Sequence, residues 1–512
     1  MTGGPNPIVN NYSRHDESSP LISKHTNRHS DNSSGSSNSH ISANDCVSQI
    51  EEEFEVHDIA PSIDIGDHEA TFSLRKLIRF AGPGFAMSIA YVDPGNICSD
   101  LHCGAVAGYK LIWLLFLTHA LGLYIQTLSA RIGIVTGQNL AQHCHRQYTK
   151  RIRIPLWLIC ELAIIGSDIQ EAIGTAIALY LLFGIAVWKG ILLAASLSYA
   201  ILGIQRFGAR KVEAILIAMI AVMCGCFGIE VLMAKPDFGQ IAEGLFVPRI
   251  PANAMVQAVG IVGAVIMPHN LFLHSALVGT RRIKRGSTVR HASIREANFY
   301  TVLESAIALL FSFTINATIL IVFADIYSMG NGVDPTGLRG ALARTAEAAG
   351  LLEKAFGKAG PLLWAIGLLA SGQSSTATGT MAGQFLMEGM MKLQVSPWLR
   401  MFISRSISLV PTMLVGTLAT KYLDHLALPF ALIPTLKFAQ SKGIMTGDFA
   451  LGPYWRAFGW ATAAAIIALN VYLLLPLVLQ MAVQSMVAAA LAYTSFGVYL
   501  TLVGVLVFAD VE

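Results

Sequence analysis

Twelve apolar stretches, separated by short polar or basic segments, follow a long polar N-terminal region. They fall near 77–104, 111–135, 155–186, 188–205, 211–234, 254–280, 297–325, 360–390, 398–420, 425–440, 456–480 and 483–508. Most approach the roughly 20 residues an α-helix needs to cross a hydrocarbon core. The pattern predicts an all-α polytopic membrane protein of about twelve helices. Residues 1–72 are rich in Ser, Asn and His and lack an apolar segment near the start, which predicts a disordered tail, neither signal peptide nor packed domain.

The loops orient the chain. Arg146, Lys150, Arg151 and Arg153 follow the second stretch, Arg206, Arg210 and Lys211 the fourth, and Arg281, Arg282, Lys284, Arg285, Arg290 and Arg295 the sixth. Basic loops stay cytosolic, so both termini are expected in the cytosol. The sequons Asn11-Tyr12-Ser13 and Asn32-Ser33-Ser34 then lie on the wrong side for glycosylation, and Asn316-Ala317-Thr318 lies within the seventh stretch.

Two stretches are interrupted: the first by Asp93-Pro94-Gly95-Asn96, the sixth by Met267-Pro268-His269-Asn270. A helix that breaks at bilayer depth exposes backbone carbonyls, and such breaks persist only around a cavity or an ion. Pro94 removes a backbone donor, so carbonyls before the break, including that of Ala90, lose helical partners; Asp93 adds a charged hard oxygen and Asn96 a neutral one. Asp-Pro-Gly-Asn is also an ordinary surface turn, but here it is embedded in apolar sequence. Pro268 likewise frees carbonyls near Ala264, and Met267 brings a thioether, which suits Mn²⁺, Fe²⁺, Co²⁺ or Cd²⁺ better than Mg²⁺ or Ca²⁺. A lone Met in an apolar helix is usually packing; the paired break favours a ligand. Breaks five stretches apart fit two inverted repeats, residues 73–235 and 236–446, followed by two extra helices in 447–512.

Composition narrows the class. Hydrophobic residues make up 54% of the 512 and charged residues 13%, which excludes a soluble globular protein. A net charge of +3 gives nucleic-acid binding no support. Seven cysteines (46, 98, 103, 144, 160, 224 and 226) imply no disulfide framework, and Cys224 and Cys226 point to different helix faces. Glu161, Asp168 and Glu171 form one stripe of the third helix, and three carboxylates in a bilayer are costly enough to predict a wet proton path. The alternative is a set of structural ion pairs with arginines such as Arg405. His269 can exchange protons near neutrality or simply steady the unwound segment by hydrogen bonding, and His274 is more ambiguous. In the tail, Glu17-Ser18-Ser19-Pro20-Leu21-Ile22 resembles an acidic dileucine signal that sorting adaptors read, and it predicts an endosomal, lysosomal or vacuolar membrane in preference to the plasma membrane.

Six blocks in order carry a resemblance to the Nramp family of divalent-metal transporters over about residues 75–508. They are Gly82-Pro83-Gly84-Phe85; Asp93-Pro94-Gly95-Asn96-Ile97; Gly166-Ser167-Asp168-Ile169-Gln170-Glu171; Met267-Pro268-His269-Asn270 through Ser275; Ser371-Gly372-Gln373-Ser374-Ser375-Thr376 with Ala382-Gly383-Gln384-Phe385; and Leu428-Pro429-Phe430-Ala431-Leu432-Ile433-Pro434. The resemblance implies a LeuT-like fold and proton-coupled import of Mn²⁺ or Fe²⁺ into the cytosol, with no cofactor and no enzymatic activity. It further implies a metal shell of Asp93, Asn96, Met267 and the carbonyls of Ala90 and Ala264. Proton-route groups would be His269, Glu161, Asp168, Glu171 and a ninth-span arginine, Arg405. The sequence departs from the family at His102 and on the tenth span, where Lys421, Asp424, His425 and Ala427 replace an amide-rich stretch. Two other readings are a metal sensor that keeps the fold, which should carry a soluble output domain, and a Mg²⁺ or organic-cation transporter, which Met267 argues against.

Overall fold

The computed structural model describes residues 63–64, 72–205, 209–282, 290–328, 340–393, 420–446 and 448–511, together with parts of 395–407. Its regular structure is helical apart from one short parallel pairing, in which Ile63 stands opposite Arg281 and Asp64 opposite Arg282. Helices occupy eleven of the twelve apolar stretches; the other, near 398–420, lies largely outside the described residues. Six helical stretches are individually long and apolar enough to cross a membrane, or seven if the bent pair Lys150–Phe183 and Val187–Leu197 (116°) is one span. That number falls short of twelve for physical reasons. One counted stretch, Pro94–Thr136, has 43 residues, about 65 Å of helix and so twice the hydrocarbon thickness. The α-helix stops within it at Gly108, whose φ of +59° ends the ladder. Ala359–Met391 carries buried Ser371, Ser374, Ser375 and Thr376, and the interrupted helices are individually short.

The first apolar stretch is three helices: α1 (Leu74–Phe80), α2 (Pro83–Ile89) and α3 (Pro94–Ala107). The third stretch is α6 (Lys150–Phe183), which starts before the expected 155 and carries Pro155 inside it. Between them lie α4 (Ile112–Thr136) and the amphipathic α5 (Leu140–Gln147), started by a capping box of Asn139 and Gln142. The fourth and fifth stretches are α7 (Val187–Gln205) and α8 (Ala209–Ala234), and α9 (Phe238–Phe246) joins them to the sixth. The sixth is again split, into α10 (Met255–Val265) and α11 (Pro268–Val278). The seventh is the long α12 (Arg290–Ser328), followed by α13 (Gly340–Phe356), α14 (Ala359–Met391), α15 (Thr420–Gln440), α16 (Pro453–Gln484) and α17 (Met486–Phe508).

One ridge of α12 holds α1, α2 and the unwound residues that follow them. Residues four apart lie along a single row of a helix, and here the row runs Glu296, Tyr300, Glu304, Ala308, Ser312, Asn316. Glu296 pairs with Lys76 at 2.6 Å. Tyr300 accepts the Ser73 N–H at 2.9 Å and stacks on Phe80. The Glu304 carboxylate accepts the N–H groups of Gly82 (2.7 Å), Gly84 (2.9 Å) and Phe85 (3.2 Å), satisfying the orphan donors of α2 with a charge of the favourable sign. Ser312 donates to the Ser88 carbonyl (2.6 Å) and Asn316 to that of Tyr91 (2.7 Å). Ala308, between the rungs, is buried. The Asn316 amide nitrogen that glycosylation would need is therefore buried and committed.

None of the six described cysteines is in a disulfide, five of them being buried and Cys224 half-buried; Cys46 and the sequons at Asn11 and Asn32 lie outside the described residues.

Candidate metal centre

Both interruptions are built alike. Asp93 takes an extended backbone, caps α3 by accepting the Asn96 N–H at 2.6 Å, and is followed by Pro94 at the first helical position. Met267 occupies the corresponding position before α11, extended at φ −94° and ψ 138°, with Pro268 next. Proline suits that position because its fixed φ is helical and its missing N–H is one of the orphans there.

The same prolines have a second effect, upstream. In an unbroken helix the carbonyl of Ala90 would accept from the N–H of residue 94, and that of Ala264 from residue 268. Neither proline has an N–H to give. Around the first break nearly every other carbonyl is taken. Ile89 accepts from Val92 N (2.9 Å), Tyr91 from Asn316, Val92 from Ser371 Oγ (2.5 Å) and Asp93 from Ile97 N (3.0 Å). Among the described residues, no hydrogen bond reaches the carbonyl of Ala90. A buried carbonyl left in this state is costly unless something else binds it.

Asp93, Asn96 and Met267 are all buried, as is Ala90, while Ala264 is half-buried. Asp93 Oδ1 also accepts from Asn96 Nδ2 (2.8 Å), which turns the Asn96 amide and leaves its oxygen as the free hard donor of that side chain. Among the described residues there is no group of three or more His, Cys, Asp or Glu placed to hold a metal. The centre drawn here has a single carboxylate, its other donors being an amide, a thioether and backbone oxygens, so it differs in kind from such a cluster.

The carboxylate stripe leads away from this point along α6. Glu171 accepts from Ser167 Oγ (3.2 Å) and Thr376 Oγ1 (3.0 Å) and is buried, as is Asp168. Both face Gly379 of α14: a methyl built there would stand 3.3 Å from Glu171 Oε1 and 3.9 Å from Asp168 Oδ1. Glu161, about 15 Å below Glu171 along the helix, is ion-paired to Arg400 Nη2 at 2.8 Å, with side-chain exposures of 19% and 6%. Arg405 lies outside the described residues, so the arginine seen on Glu161 is the other basic residue of that stretch. Sequence reasoning passed over Arg400, although it stands only five positions away.

His269 is buried in the first turn of α11, and its Nδ1 has no partner among the described residues; nor do the amide atoms of Asn270 beside it. His274 is buried deeper in the same helix. The side chains of Lys421, Asp424 and His425 lie outside the described residues, whereas Ala427 is buried and brings only a methyl to the tenth span. His102 is half-buried on α3.

An all-helical membrane protein with paired interrupted helices, and with buried polar groups gathered at the interruptions, is by class a membrane transport protein. The sequence matches the family described as natural resistance-associated macrophage protein-like over residues 84–476. It is 44% identical over 437 residues to the metal transporter nramp1 homolog of Dictyostelium discoideum, covering 82% of this chain and 79% of that one. It is also 44% identical over 467 residues to human natural resistance-associated macrophage protein 2, covering 84% and 81%. The crystal structure of a manganese transporter from Eremococcus coleocola, in complex with an aromatic bis-isothiourea compound, superposes with a TM-score of 0.76 at 29% identity, over 89% of this chain and 98% of that one. The chain belongs to the Nramp family of metal transporters, and it is not an enzyme. Its fold is the LeuT-like one that the family resemblance implied.

Proposed function

We propose that this protein imports Mn²⁺ or Fe²⁺ into the cytosol together with protons, by alternating access around the two interruptions. The observation that carries the reading is the pair of proline-orphaned carbonyls, Ala90 and Ala264, each beside a capping residue with a donor side chain, Asp93 and Met267. With Asn96 these make a shell of one charge and several neutral donors. Such a shell binds a divalent ion and also lets it go. The manganese named for the solved relative agrees with this donor set.

Protons would travel through His269, Asp168, Glu171 and Glu161, with Arg405 and Arg400 as basic partners on the ninth span. Residues 73–235 and 236–446 would act as the two inverted repeats, with 447–512 as an addition. Both termini are placed in the cytosol and the protein in an endosomal, lysosomal or vacuolar membrane; the dileucine segment Glu17–Ile22 behind that placement lies outside the described residues. The deciding experiment is uptake into proteoliposomes with a panel of divalent ions, with and without an inward pH gradient. Transport of Mn²⁺ or Fe²⁺ that ignores the gradient would remove the coupling, and transport of neither would remove the substrate.

Met267→Ala is expected to cost selectivity more than rate, because a soft ligand mainly penalises hard competitors. Cd²⁺ or Mn²⁺ uptake in competition with excess Ca²⁺ reads this directly, and unchanged discrimination would make the thioether packing only. Asp168→Asn is expected to separate the two fluxes: metal uptake persists at a reduced rate but loses its acceleration by external acid. A trapped pH dye that still reports the wild-type ratio of protons to metal would take Asp168 off the route.

A further inference from the structure

Gln170 lies between the two acids of the stripe in sequence but on a different face of α6. From Asp168 it is two residues round, about 200°, and it meets the break itself. A methyl built on Gly95 would stand 1.8 Å from Gln170 Oε1, 2.9 Å from its Cδ and 3.4 Å from Asp93 Oδ1. The Gln170 amide thus occupies the space that any side chain at position 95 would take, and its oxygen and the Asp93 carboxylate flank one point. One turn further along the same face, a methyl built on Gly174 would stand 2.4 Å from Pro94 Cβ. Two successive turns of α6 therefore bear on Pro94 and Gly95, and the only polar side chain of the pair is Gln170, which is 8% exposed.

We infer that the Gln170 amide oxygen is a further donor to the transported ion, directly or through one water, and that it tunes the preference for hard divalent ions. The inference rests on the metal-centre reading above. Divalent first-row ions such as Mn²⁺ favour six donors with oxygen predominating, at distances of about 2.0–2.6 Å for hard cations. Asp93, Asn96, Met267 and two carbonyls leave that number short. The tenth span does not make it up from Ala427, which brings a methyl. A neutral amide at 170 raises the count of hard oxygens without a second charge, so the ion is recognised and still released. A carboxylate in its place would hold the ion too firmly.

The test uses the purified full-length chain, with Mn²⁺ and Cd²⁺ binding by calorimetry and uptake in proteoliposomes. Q170A is expected to weaken Mn²⁺ binding about 10-fold, the lower end of what loss of a supporting group costs a metal site, and Cd²⁺ binding less. Q170E is expected to tighten Mn²⁺ binding and slow turnover. G95A should mimic Q170A, because its methyl displaces the amide, and the double variant should be no worse than either single one. G95A also reports the effect should Q170A fail to insert. D93A is run alongside. If D93A abolishes binding while Q170A and G95A keep wild-type Mn²⁺ affinity and the wild-type Mn²⁺ to Cd²⁺ ratio, Gln170 is not a donor. If D93A itself binds Mn²⁺ as wild type does, the metal centre is elsewhere and the inference falls with it.

Discussion

Asp93→Asn is expected to abolish metal uptake while the protein still folds, inserts and melts as wild type does. The choice of asparagine separates two roles that alanine would confound. Asp93 caps α3 through the Asn96 N–H, and its loss to alanine would cost about 1 kcal/mol of helix stability. Asparagine caps nearly as well, so the stability change is small. What it removes is the only formal charge in the proposed shell, and a divalent ion must then be desolvated against neutral donors alone. Uptake should fall to the level of empty vesicles, and Asp93→Ala should do the same with a lower melting temperature. A correctly inserted Asp93→Asn protein that takes up Mn²⁺ at the wild-type rate would exclude Asp93 from the site.

The second large effect is on stability. Arg400 donates to Glu161 at 2.8 Å and to the Thr380 carbonyl at 3.1 Å, and both charged side chains are largely buried. Arg400→Ala leaves the Glu161 carboxylate without this partner, a change that costs about 3–5 kcal/mol for a buried pair broken from one side. Neutralising both, as Arg400→Met with Glu161→Gln, should recover most of that, because the penalty comes from the uncompensated charge and not from the missing bond. Thermal melting of detergent-solubilised protein reads all three variants. If Arg400→Ala melts at the wild-type temperature, water reaches Glu161 and the pair is not structural.

The interruptions were readable from sequence because their cause is local: a proline with a capping residue before it, set in apolar sequence, fixes where each half-helix starts. The helices followed from the apolar pattern, their ends shifted by a few residues, as at Lys150, where the helix begins in the basic segment ahead of the apolar stretch. Side-chain partners between helices were not readable. Arg400 and Arg405 stand five apart on a stretch whose rotation the sequence does not set, so Arg405 was named from sequence and Arg400 is the one found on Glu161. Glu304 reaches backbone groups 222 residues away, and no pattern within either segment announces that contact. Gln170 sat in a recognised block but without a role, because only its packing against Gly95 turns it toward the break.

The ridge on α12 divides at the interruption. Glu296, Tyr300, Glu304 and Ser312 grip α1 and α2, whereas Asn316 grips Tyr91 in the unwound residues between α2 and α3. If α1 and α2 swing as one rigid arm about the break, the four lower rungs let go together and the Asn316 rung need not. The arm thus has a latch at one end, in which a single carboxylate restrains three N–H groups, and a hinge pin at the other, beside the interruption.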